Sequence, residues 1–171
     1  MKQATLTILL CVAFTILFGV LHNQVSARVS LEYFTIGHRA LIHSTSPTLM
    51  GIAWGIHSTW WVGVALGLVL VLSGMAGGWE KRTARSFIRP LVLLFCFCAM
   101  ASGVMGILGY RLSSGGSIFF LEGISQAVSP ERQPRYMAAL WMHTASYSAA
   151  AMGAAVLGVR TLFGRRRASR L

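Results

Sequence analysis

The sequence predicts an all-α integral membrane protein. Four transmembrane helices run up-down-up-down as a bundle beneath a small ordered extracytoplasmic cap. Three observations predict this. Four long apolar runs divide the chain. Charged residues make up only 11% of it, against about a quarter in a soluble domain. The basic residues flank the apolar runs instead of gathering in a patch. The +11 formal charge therefore points to topology and not to nucleic acid, and no zinc-finger, helix-turn-helix or RNA-binding signature is present. At 171 residues the chain fits one domain.

The first span is "ATLTILLCVAFTILFGVL", residues 4–21, close to the ~20 apolar residues that cross a bilayer. An extracytoplasmic segment, 22–47, follows. It contains "HNQVSARVSLEYFTIGH", in which Val25, Ala27, Val29, Leu31 and Tyr33 alternate with polar residues at the period of a strand. The second span runs from about Thr48 to Ala76 and the third from about Phe87 to Tyr110. The second extracytoplasmic segment, 111–135, holds "SIFFL", 117–121, a candidate partner strand for a short β-hairpin; amphipathic surface helices are the alternative. "SPERQPRYM" reads as a turn, with Ser129 as an N-cap and Pro134 as a break. The fourth span runs from about Tyr136 to Phe163.

Lysine and arginine orient the spans. With the N-terminus inside, ten basic residues are cytoplasmic: Lys2, Lys81, Arg82, Arg85, Arg89, Arg160, Arg165, Arg166, Arg167 and Arg170. Five are outside: Arg28, Arg39, Arg111, Arg132 and Arg135. Both termini are then cytoplasmic. The tail "GRRRASR" is placed on anionic lipid headgroups, each basic residue there contributing about 1 kcal/mol, or else serves topology alone. A homo-oligomer or a membrane partner is a further expectation; nucleic acid is not. One rival reading takes "VSA" before Arg28 as a signal-peptide cleavage site, which leaves three spans and discards His22.

Small residues let helices approach closely in lipid. Gly51, Gly55, Thr59, Gly63 and Gly67, four apart, form such a ridge on the second span, and Ala145, Ala149 and Gly153 a similar one on the fourth. These two spans are candidates for diagonal places in the bundle. Cys11, Cys96 and Cys98 all lie in apolar runs and read as small buried hydrophobes.

No nucleophile motif, phosphate loop or HExxH signature occurs, and aspartate is absent, so no residue is assigned a catalytic role. The histidines carry the functional signal. His57 and His143 lie within spans, where an ionisable side chain is costly. Their depths, roughly 13 and 11 Å from the outer end, place both rings in one layer. "WGIHSTWW" and "WMHTASY" each set a histidine beside tryptophan and hydroxyl residues. His57 and His143 are candidate cofactor ligands, for haem. Together with His22, His38 and Glu32 they are candidate ligands for copper or zinc. Two plainer readings stand beside these. The histidines hydrogen-bond neighbouring helices and fix packing, and Glu32 pairs with Arg28 or Arg39. The function classes are thus a metal or haem site in the outer third of the bundle, a non-catalytic accessory protein that binds lipid or a partner, and, more weakly, a transporter acting as an oligomer.

"HNQVSARVSLEYFTIGH", "SPTLMGIAWGIHSTWWVG", "RSFIRPL" and "LWMHTASY" together resemble an uncharacterised group of small bacterial four-span membrane proteins, over roughly His22 to Tyr147. "EYFTIGH" is the most specific part. The resemblance implies four spans, an uncleaved first span and the bacterial inner membrane as the location, and supplies no activity. The group often carries aspartate where this chain has Asn23, which argues against a metal role at that position.

Overall fold

A computed structural model describes residues 1–39, 41–118 and 122–169. Among the described residues the elements are all helical: α1 (Lys2–Val29), α2 (Glu32–Thr35), α3 (Pro47–Met75), a 3-10 turn (Ala84–Phe87) leading into α4 (Ile88–Ser114), α5 (Glu122–Ala127) and α6 (Gln133–Ala168). Three helices are long and apolar enough to cross a membrane: α1, α3 and the Ala84–Ser114 stretch that contains α4. With 36 residues α6 is longer than these, yet it is not among them. Alanine, glycine, serine and threonine fill positions that leucine and valine hold in the others.

The long helices pack chiefly as two antiparallel pairs, α1 with α3 and α4 with α6. The glycine ridge of α3 explains the first pair. A Cβ on Gly55 would lie 2.6 Å from the Val20 Cα, one on Gly63 2.6 Å from the Val12 Cα, and one on Gly67 2.8 Å from the Ile8 Cα. Each is a backbone collision, so only glycine permits this separation. The facing ridge on α1 is Thr7, Cys11, Thr15, Gly19 and Asn23, again four apart and buried. Thr7 and Thr15 donate back to the Gln3 and Cys11 carbonyls at 2.9 and 2.8 Å, so their hydroxyls cost nothing inside. The two pairs meet through α3 and α6, which are neighbours and not diagonal. Phe14 and Phe18 of α1 stack on Phe95 of α4 across the interior. Cys11 and Cys98 are buried there, whereas Cys96 faces outward.

Several sequence expectations need correction. The alternation from Val25 to Tyr33 is not a strand. Residues to Val29 continue α1, and Glu32–Thr35 form α2. Asn23, Ser26, Ala27 and Ser30 lie on one helical face and are buried, while Val25 is 55% exposed. The small and polar residues point in and the apolar one points out, which a two-residue period misreads. A helix also satisfies its own backbone, whereas a lone strand pair is marginal. Leu121, Phe120 and Phe119 of "SIFFL" lie outside the described residues, and no strand occurs among those described. Pro134 does not break a helix but sits in the first turn of α6, as Pro47 does in α3, where its missing N–H is not needed. Ser129 is not the cap of α6; Arg132 holds that place.

At the other end of the molecule the tail reading changes for one residue. Arg165 is 1% exposed and does not face outward. Its guanidinium donates to three backbone carbonyls: Glu80 at 2.7 Å, Ser73 at 2.8 Å and Trp79 at 3.1 Å. Ser73 is in the last turn of α3, whose carbonyls have no partner within the helix. Arg166 packs on the Trp79 ring, 4.8 Å from its centroid.

Candidate functional site

The histidines converge where α1 ends and α3 and α6 begin. α6 buries His143 against α1. Its Nε2 is 3.1 Å from the Ser26 Oγ, and Ser26 in turn donates to the Asn23 Oδ1 at 3.5 Å. The His22 ring meets His143 edge-on at 4.6 Å between centroids, Tyr33 stacks on it at 4.5 Å, and Phe34 approaches at 5.6 Å. His22 Nδ1 is 3.4 Å from the Ser102 Oγ of α4, while its Nε2 is buried without a protein partner.

A second arm leads outward through α2. His38 donates from Nδ1 to the Tyr33 carbonyl at 2.8 Å, which orients its ring. Its ring touches Tyr33 at 4.8 Å and Trp54 at 5.0 Å, and Trp54 touches His57 at 5.8 Å. Burial pushes the Tyr33 phenol well above its usual range, with Tyr147 and Tyr136 adding to the shift, so it stays protonated. The Tyr147 hydroxyl donates to the Ser58 carbonyl at 3.2 Å and ties α6 to α3 at this level. Two small cavities flank the cluster. One, about 30 Å³, borders His22 and His143; the other, about 60 Å³, borders Tyr33, His38, Trp54 and His143. Each has room for water and not for a cofactor, since ligand pockets start near 300 Å³.

No protein-family model, curated protein or solved structure matches the chain. The site is therefore read from its own geometry. Of the residues singled out in the sequence, His22, His38 and His143 come together around Tyr33. His57 does not join them: it is exposed, lines neither cavity, and has Trp54 between it and the cluster. Glu32 stands apart too. It accepts hydrogen bonds from Ser30 at 3.0 Å and from Arg132, with which it forms an ion pair. Arg28 instead binds Gln24 and the Thr48 hydroxyl, the latter at 2.9 Å. Burial alone would raise the Glu32 carboxyl, but the hydrogen bonds from Arg132 and Ser30 and the Arg132 charge outweigh it and hold the carboxyl below its usual range. Among the described residues no group of three or more His, Cys, Asp or Glu is placed to hold a metal ion.

Sequence reasoning missed Asn23, Ser26 and Tyr33 as members of the cluster. A signal was available for two of them. Asn23 continues the four-residue ridge that begins at Thr7, and Ser26 lies one turn after His22. Tyr33 shows no such periodicity, because α2 is a single turn whose direction depends on tertiary packing. Chemically, the cluster offers imidazoles, a phenol and an amide around water-sized space. It can hold water and pass protons among these groups.

Proposed function

We propose that the chain is a non-catalytic accessory protein of the bacterial cytoplasmic membrane, with α6 as its fourth span and both termini cytoplasmic. The histidine–tyrosine cluster then fastens an extracytoplasmic cap, built on α2, to the spans. One observation carries this reading: His143 is enclosed by Ser26 and His22 of α1 and by Tyr33 and Phe34 of the cap. Its ring is used for packing. The low apolarity of α6 is consistent with a span, because His143, Ser146 and Ala149 are buried against other helices and not presented to lipid. The ten-to-five division of basic residues supports the orientation.

The test is purification in mild detergent, followed by elemental analysis and an absorption spectrum. The expected result is protein free of stoichiometric metal and of chromophore. His143→Ala is expected to lower the unfolding temperature, while His57→Ala leaves it close to that of the parent. A Soret band, or stoichiometric copper or zinc, lost in the His57→Ala and His143→Ala variants would overturn the reading.

A second reading rests on one atom. His22 Nε2 is buried and unpaired beside the cavity it shares with His143. A copper or zinc ion held by these two imidazoles and completed by water would satisfy it. Metal bound in the His57→Ala variant and lost in His22→Ala would favour this reading.

A further inference from the structure

The seam between α4 and α6 differs from that between α1 and α3. It leaves a furrow on the outer surface of the molecule, formed of two spaces that share Phe97. The space nearer the C-terminal tail is about 720 Å³, and the one farther along is about 460 Å³. The second is bordered almost entirely by apolar and small side chains, including Met105 and Met152. The first is apolar along Leu93, Phe97 and Val156, but its end is ringed by Arg82, Arg89 and Arg160, with the Ser86 and Thr161 hydroxyls among them. Arg82 comes from the loop before α4, Arg89 from α4 and Arg160 from α6. The Arg82 guanidinium reaches across the furrow toward α6, its Nη2 3.7 Å from where a Cβ on Gly164 would lie.

None of these arginines has an acidic partner among the described residues, where the single ion pair is Glu32 with Arg132 at the opposite end. Three cations from three elements thus converge with no carboxylate in ion-pair contact among the described residues, Glu80 of the same loop included, at one end of a long apolar trough. We infer that this furrow binds one anionic phospholipid, its phosphate held by Arg82, Arg89 and Arg160 and an acyl chain lying along Leu93, Phe97 and Val156. The inference rests on the reading above that the chain is an integral membrane protein, with this end at the cytoplasmic surface. There the leaflet supplies anionic headgroups at the depth of the arginines. A zwitterionic lipid would fill the trough equally well but would bring a positive charge to the arginines. Bidentate guanidinium contacts suit phosphate oxygens, and the two hydroxyls supply further donors.

The experiment is native mass spectrometry of the full chain, released from detergent with phosphatidylglycerol or phosphatidylcholine of matched acyl chains, or with inorganic phosphate alone. Phosphatidylglycerol is expected to be retained about tenfold more than phosphatidylcholine, and inorganic phosphate hardly at all. The Arg89→Gln/Arg160→Gln double variant should remove that preference. Val156→Trp, which keeps every charge but obstructs the trough, should lower retention of both lipids. Equal retention of the two lipids, a preference that survives the arginine double variant, or retention unchanged by Val156→Trp would overturn the inference. So would retention of inorganic phosphate as strong as that of the lipid, since the trough would then play no part. The underlying reading fails separately: protein released from membranes by alkaline carbonate without detergent would refute membrane integration whatever the lipid result.

Discussion

His143 of α6 and Ser26 of α1 share a hydrogen bond, Nε2 to Oγ at 3.1 Å, across 117 residues of sequence. It joins the start of the last long helix to the end of the first. Ser26→Ala leaves a buried imidazole nitrogen unpaired, at a cost of about 1–3 kcal/mol. Thermal unfolding in detergent should therefore shift down by several degrees. An unchanged transition would mean that the ring is not held through this bond.

The Glu32–Arg132 pair gives the α2 segment a pH dependence with a defined sign. The Glu32 carboxyl lies below its ordinary value of 4.5 in the folded protein. A depressed carboxylate stabilises fully above the unfolded value, and the contribution is lost as pH falls through the folded one. Limited proteolysis of residues 30–46 should accelerate as pH falls below about 4.5. Glu32→Gln should be cleaved at the fast rate already at pH 7, with a flat profile. Because Arg132 is largely exposed, the effect is expected to be modest.

Gly55 sets the spacing of α1 and α3. A methyl there meets the Val20 backbone, which cannot yield as a side-chain tip would. Gly55→Ala should cost about 1–3 kcal/mol, and Gly55→Leu more. Gly103, around which a Cβ meets nothing, is the control: Gly103→Ala should be neutral or stabilising. Equal loss at both positions would contradict the close helix approach.

Arg165→Gln strands up to three backbone carbonyls at the end of α3 and in the following loop. A charged donor to such groups is worth about 1.5–3 kcal/mol per bond. The expected signature is local: faster hydrogen exchange at residues 73–82, with protection in α1 unchanged. Exchange that rises uniformly along the chain would assign the arginine a global role instead.

α1 supplies the ridge against which the α3 glycines pack, together with His22, Asn23 and Ser26 of the cluster. Loss of residues 1–27 would leave those glycines and His143 without their partners. The intact mass of protein extracted from membranes is therefore expected to include this segment. A mass consistent with cleavage after Ala27 would require the remaining helices to repack.

α1, α3 and α4 are legible in the sequence because each is a sustained apolar run, and the close packing of α3 on α1 is legible because small residues recur every fourth position. His143 is legible as costly to bury. What the sequence conceals are relations between distant segments. Glu32 looks free to take Arg28 or Arg39, four and seven residues away, and instead takes Arg132, brought near by folding. His57 and His143 share a similar depth, but depth leaves azimuth open, and a rotation about the α3 axis puts His57 on the outside. The alternation after His22 misleads for a related reason. In α1 the interior is small and polar and the exterior apolar, so rules written for a water-facing surface assign its faces backwards.

The Arg165 clasp also imposes an order of assembly. The carbonyls of Ser73, Trp79 and Glu80 are synthesised long before their donor, which lies close to the end of the chain. Throughout translation and insertion of the intervening helices, the end of α3 must rely on water or headgroups for those bonds. The clasp can close only once α6 is in place. Its closure thus reports that α6 has been made and seated against the end of α3, and a product lacking α6 or carrying it in the wrong orientation would present an unclosed, protease-sensitive loop.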